Sequence, residues 1–282
     1  MKFIPITKQD IQNSTKINAS AKQWAIENLD YLNKPMNLFG SSTKVQKGSD
    51  KFETYILYLQ PADKVAVKTL CAFADKAGCK KPCLIVSGRL GMTGSQASAT
   101  KRTILMLLRA EYFEYKLLAE IDKAERRALK AGNMPALFRL NGTSDIDFSY
   151  IIKQRPNSQF YDYTKIISRI RKNTLSNYDL TFSASMYSVQ SKKAFKTAVE
   201  REYKTAVAFN TKNVKGDSDL IPHTMISFDN TDLRHLDKPS SIGYLKRKGS
   251  NLGDRLAENK KSESFFVTEA NYTEFQSIIN RG

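Results

Sequence analysis

The chain has 282 residues, 41% hydrophobic and 10% aromatic, enough to bury one sizeable core, and one large domain is expected. Its 45 Lys and Arg against 28 Asp and Glu leave a formal charge of +17, which makes a polyanion such as nucleic acid, or another phosphate-bearing molecule, the expected partner. The opening "MKFIPITKQD" has no apolar run of signal-peptide length, and no later stretch approaches the roughly 20 apolar residues that span a bilayer, so a membrane protein is excluded and a cytosolic location expected.

In chain order, "KINASAKQWAIENLDYLN" at 16–33 places Trp24, Ile26 and Leu29 at helical spacing after a cap at Asn18 or Ser20. Residues 37–51 read as a polar connector, so 1–51 form a helical extension and 52–282 the main domain. "FETYILYLQPA" at 52–62 is aromatic and β-branched and reads as a strand. A loop with Gly78, Pro82 and three lysines follows, and then "CLIVSG" at 83–88 reads as a second strand. Residues 95–131 carry apolar positions at helical spacing with no Pro or Gly and predict one long helix or two.

The second half repeats one theme: 135–142, 158–165, 178–185, 204–212, 223–232 and 241–250 read as short strands ending in polar residues, with helical segments between several of them. Residues 213–222 and 249–264 read as loops, and the last fifteen residues as a short covering helix. Alternating strands and helices predict an α/β fold with a parallel sheet, and about eight such units match a (β/α)8-type barrel, complete or partly open. In that architecture the site forms at the carboxyl ends of the strands.

Those ends supply the candidate residues. "RLNGTSDID" gathers Arg139, Asn141, Ser144, Asp145 and Asp147, more than helix capping requires. In "FYDYTK" strand alternation sends Asp162 and Thr164 one way and Tyr163 and Lys165 the other. Asp145, Asp162 and Lys165 are the candidate catalytic groups, although a salt bridge accounts equally well for Asp162. Arg139, Asn141, Ser144, Asp147, Ser183, Ser185 and Arg234 are candidates for positioning substrate, and Lys246 and Lys248 of "KRKG" for holding phosphate. Tyr161, Tyr163, Tyr187 and Tyr244 offer rings on which bases stack. No sequence-reading nucleic-acid motif accompanies them.

All three cysteines, Cys71, Cys79 and Cys83, fall within thirteen positions. A reducing cytosol and an odd count argue against disulfides. Burial as small apolar groups accounts for any one of them better than for all three. Three thiolates with an open position suit a [4Fe–4S] cluster, and zinc completed by His223 or His235 is the alternative.

The ordered set "CKKPCL", "SGR", "KRT", "RLNGTSDI", "FYDYTK", "YDLTFSAS", "AVAF", "DNTDLRHLD" and "GYLKRKG", spanning about 53–268, resembles a family of uncharacterised proteins found chiefly in tailed bacteriophages. The resemblance implies a phage-infected host cell as the setting. A cysteine loop after the first barrel strand also looks distantly like the radical S-adenosylmethionine enzymes, which implies S-adenosylmethionine on the fourth iron. The spacing here is C-x7-C-x3-C, not C-x3-C-x2-C, and "SGRLGMTG" stands where a Gly-Gly-Glu stretch is usual. Two kinds of function follow: an iron–sulfur enzyme modifying nucleic acid or a nucleotide, with base exchange through Asp145 or Asp162 as a further version, or a non-catalytic nucleic-acid-binding protein with structural zinc or buried cysteines.

Overall fold

The computed structural model describes residues 1–40, 52–86, 88–130, 135–211, 220–248 and 252–280. Eight strands form one sheet in the order β1-β2-β3-β4-β5-β6-β8-β7. They are β1 (Phe39–Gly40), β2 (Glu53–Leu57), β3 (Ala136–Arg139), β4 (Gln159–Thr164), β5 (Tyr178–Ser183), β6 (Thr205–Phe209), β7 (Ile226–Ser227) and β8 (Ile242–Lys246). Every pairing from β2 to β7 is parallel, and only β1 is antiparallel, Phe39 lying opposite Leu57. No ladder among the described residues joins β1 to β7, so the mixed α/β sheet is open as paired.

The extension opens with α1 (Lys8–Asn13), α2 (Ala19–Glu27) and α3 (Leu29–Asn33). Asn18 caps α2 by accepting from the Ala21 N–H, one of the two caps expected. Ile6, Ile11, Ile17, Ala21 and Leu32 share one core with Leu57 and Phe138, so the extension packs onto the main sheet. Buried Lys101 donates to the carbonyls of Tyr31 and Lys34, tying α3 down.

The long helical segment is two helices, α4 (Thr93–Leu108) and α5 (Ala110–Lys130), separated at Arg109, whose backbone leaves the helical region. On α5 the buried Phe113, Leu117, Ile121, Ala124 and Ala128 recur every three or four residues and face the sheet. Short helices α6 (Ser149–Ile152) and α7 (Ile167–Lys172) follow β3 and β4. Then α8 (Val189–Glu200) starts at a Ser188/Ser191 capping box. With α10 (Tyr272–Ile279), α8 encloses a second core of Phe182, Phe195, Val207, Phe209 and Phe275.

Three expectations are corrected. "CLIVSG" is not a strand but 3-10 turns over Leu84–Val86 and Gly88–Gly91. Both edges of β2 are already taken, by β1 and β3, so a further strand has no open edge there. The expected loop at 249–264 contains α9 (Leu252–Asn259). The strand expected over 223–232 shrinks to the two residues of β7. The loop expected at 213–222 lies largely outside the described residues, as does most of the 37–51 connector.

One face of the sheet carries the helices and both cores. On the other, hereafter the inner face, Leu137 and Tyr161 cluster with Phe52 and Leu233. Gly243 lets the ring of Phe228 lie against β8, where any side chain would collide with it. The fully buried Arg234 stacks on that ring, 3.9 Å from its centroid.

Candidate functional site

The parallel strands bring their carboxyl ends to one edge, and the cysteine loop lies across it. Asp145 N donates to Leu70 O at 3.0 Å, and Cys71 bridges to Asp145 in a parallel sense. From β5, Ser185 Oγ donates to Ala77 O at 2.8 Å, and Ser188 Oγ donates to Lys76 O at 2.5 Å. Gly78, at φ +63, rests on the ring of Tyr187, a position where a side chain would meet both backbone strain and the ring. Ser185 and Tyr187 therefore hold the loop in place.

The thiols lie within electrostatic reach of one another, yet they do not form a ligand set. Cys71 Sγ accepts from Ala62 N at 3.4 Å and lies 3.9 Å from Thr143 O, and Cys79 Sγ lies 3.7 Å from Ala74 O. Burial pushes the Cys71 thiol up to about 12 and raises that of Cys83. Among the described residues no three His, Cys, Asp or Glu side chains converge as metal ligands, so the arrangement does not fit a cluster or zinc. His235 instead packs edge-on against Phe52 at 4.9 Å.

The carboxylates expected to be catalytic are engaged in hydrogen bonds and an ion pair within the fold. Asp162 is completely buried on the helix-bearing face, where it accepts from Asn141 N at 2.8 Å, Asn141 Nδ2 at 3.2 Å and Tyr178 OH at 3.1 Å. Burial raises its carboxyl to about 6 against those hydrogen bonds. The side chain of Asn141 then folds the next turn, donating to Ile146 O and accepting from Ile146 N and Ser144 Oγ. Asp145 accepts from Lys165 N at 3.0 Å and pairs with Arg169, clamping the β3 loop to the end of β4. Asp147 accepts from Ser149 N at the start of α6.

The inner face carries a different set. Strand alternation puts Arg139, Tyr161, Tyr163, Lys165, Thr181 and Ser183 together there, because Tyr163 is in register with Thr181. Arg139 pairs with Asp232 at 3.0 Å and stacks on Tyr163, 4.9 Å from its centroid, while Tyr161 OH donates to Asp232 at 3.0 Å. Three buried atoms in this group have no hydrogen-bond partner among the described residues: Arg139 Nε, Tyr163 OH and Thr181 Oγ1. Lys165 Nζ donates to Ser183 Oγ at 2.7 Å and lies 4.5 Å from the centroid of Phe265, with no carboxylate partner among the described residues.

The remaining candidates lie apart from this group. Arg234 is sealed beneath Phe228 and faces Asp237 at 3.1 Å. Lys246 shares the helix-bearing face with Tyr244, and Lys248 pairs with Asp229 at 2.8 Å. Between those lysines Arg247, the middle residue of the same basic run, donates to Asn210 Oδ1 at 2.8 Å and stacks on Phe266 at 4.9 Å.

The molecule is thus an α/β protein with a mostly parallel sheet and a polar group on its inner face at the strand carboxyl ends. The chain belongs to the phage-type family described as Gene product 88, whose model matches residues 30–267. No curated protein and no solved structure matches it, and no likeness to radical S-adenosylmethionine enzymes emerges. No helix among the described residues is long and apolar enough to cross a membrane.

Proposed function

We propose that this protein is an enzyme acting on nucleic acid or a nucleotide, with the reacting group held on the inner face at the carboxyl ends of β3, β4 and β5. The observation that carries this reading is the trio of buried, unpartnered atoms, Arg139 Nε, Tyr163 OH and Thr181 Oγ1, beside Lys165. Most buried polar groups in folded proteins have partners, and leaving one without costs about 1–3 kcal/mol. A scaffold gains nothing from three in adjacent positions; a bound group satisfies them. Arg139 and Lys165 can only donate, so that group presents acceptor oxygens or nitrogens, as a carbonyl or phosphoryl group does. Donors fixed in advance in a dry site stabilise charge that develops on such an oxygen. The +17 net charge favours a phosphate-bearing substrate.

Closure of the sheet into a barrel with this face inside belongs to the same proposal and would enclose the trio. Iron–sulfur chemistry and S-adenosylmethionine binding find no support in the thiol geometry. Base exchange through Asp145 or Asp162 has no free carboxylate to work with, since both oxygens of each are engaged.

Tyr163→Phe and Thr181→Val test the reading, each removing one unpartnered group. Thermal melts are recorded for each variant and wild type, alone and with mixed-sequence oligonucleotides or a panel of nucleotides. The expected result is unchanged or higher stability without ligand, together with loss of the ligand-induced shift seen in wild type. Destabilisation of both variants alone, with the shift retained, would show ordinary structural hydroxyls and overturn it.

A further inference from the structure

The strands β5 and β6 pair only where the carboxyl end of β5 meets the amino end of β6, through Phe182 with Thr205 and Ser183 with Ala206. Beyond that point they part, and residues 264–267 wedge between them. Ser264 bridges to Met186 on the β5 side, while Val267 bridges to Phe209 and donates its N–H to Ala208 O at 2.8 Å. The wedge carries two adjacent rings, Phe265 and Phe266, with centroids 5.1 Å apart. Lys165, from the end of β4, lies over the first at 4.5 Å, and Arg247, from the end of β8, lies over the second at 4.9 Å. A cation, two rings and a second cation thus form one row across the carboxyl-end edge.

Resting on aromatic faces fixes both cations without neutralising them. Among the described residues neither has a carboxylate partner: Lys165 Nζ bonds only Ser183, and Arg247 bonds the amide oxygen of Asn210. By contrast Lys248, next to Arg247, is neutralised by Asp229, and Lys204 by Asp179 at 2.7 Å. Two half-buried cations with no ion-pair partner among the described residues, held either side of an aromatic pair, suit anionic groups spaced along one chain; Glu258 lies within electrostatic reach of Arg247 but is paired with Lys261.

We propose that the row Lys165–Phe265–Phe266–Arg247 is a track for the backbone of a single nucleic-acid strand, each cation taking one phosphate, so that the strand passes beside the unpartnered atoms of Tyr163 and Thr181. The proposal rests on the nucleic-acid reading above and adds the path of the strand. Each phosphate neutralised releases condensed counterion, so the logarithm of affinity falls with the logarithm of salt by about 0.7 per phosphate for single strands.

The test is fluorescence anisotropy with labelled oligo-dT over a salt series. Lys165→Ala and Arg247→Ala are each expected to lower the slope by about 0.7, and the double variant by about twice that. Lys165→Arg and Arg247→Lys, which keep the charge, should keep the slope, and so should Lys8→Ala on the exposed face of α1. Wild-type slopes in both alanine variants would overturn the track while leaving nucleic-acid binding intact. An equal fall in Lys8→Ala would reduce it to general charge, and no oligo-dT binding by wild type would overturn the track and confine the reading beneath it to nucleotides.

Discussion

Asp162 Oδ1 accepts the backbone N–H of Asn141 at 2.8 Å, joining the middle of β4 to the turn that leaves β3. The bond lies beneath the sheet edge, fully buried, so the carboxylate is ionised at a desolvation cost, and its carboxyl sits at about 6 in place of 3.8. A folded-state value above the unfolded one means that the native protein holds this proton more tightly. The stability it contributes is complete below about pH 4 and is lost as pH rises through about 6, on the order of 3 kcal/mol in all. Subtracting the Asp162→Asn melt from wild type should give a difference that falls across that window, and carboxyl carbon NMR should show a midpoint well above 4. A midpoint below 4 would reverse the sign.

Arg169 is expected to be costly to remove. Its guanidinium is the partner of Asp145, and both side chains are about 10% exposed. Arg169→Ala strands a nearly buried carboxylate, which typically costs about 3–5 kcal/mol. Arg169→Ala with Asp145→Asn should recover part of this in denaturant titration, because the uncompensated charge is gone. Equal stability of the single and double variants would show that the pair is not coupled.

Gly243→Ala tests the packing of the inner face. The new methyl would run into the Phe228 ring, the platform for Arg234, and overpacking of this kind costs about 1–3 kcal/mol. The urea midpoint should drop without a change in the slope of the transition. Gly243→Ala with Phe228→Leu should regain part of the loss.

The thiols give the cheapest measurement. With Cys71 raised to about 12 by burial, iodoacetamide at pH 8 should modify it far more slowly in folded than in unfolded protein, read by peptide mass spectrometry. Anaerobically purified protein is expected to be colourless and to hold no stoichiometric iron, sulfide or zinc. About four irons and four sulfides per chain, lost in the Cys71/Cys79/Cys83 triple alanine variant, would restore the cysteines as cluster ligands.

How far the sequence carried this picture depended on whether local pattern or distant pairing decided each element. The buried stripe of α5, the Asn18 cap and strands β2 to β6 are local and were legible. So was the alternation in "FYDYTK", which separates Asp162 from Tyr163 and Lys165. "CLIVSG" has strand composition, but its fate was settled by Phe39 and Gly40 occupying the edge of β2, and two residues leave no periodic signal. The duty of Asp162 was hidden because alternation does not say which face the helices cover. Arg247 was masked by its neighbours: "KRK" reads as one cationic run until the end of β8 fixes which side each residue takes. Nothing in "FFVT" revealed a wedge between two strands made about 60 to 80 residues earlier.

That wedge orders events during synthesis. Strands β4, β5 and β6 leave the ribosome before residue 264 is added, and each can pair as it emerges. The row of cations and rings cannot exist until Phe265 and Phe266 arrive and part β5 from β6. A nascent chain halted near residue 250 would therefore carry most of the sheet and both cations but neither ring, so the proposed track is completed with the last tenth of the polypeptide rather than with the fold.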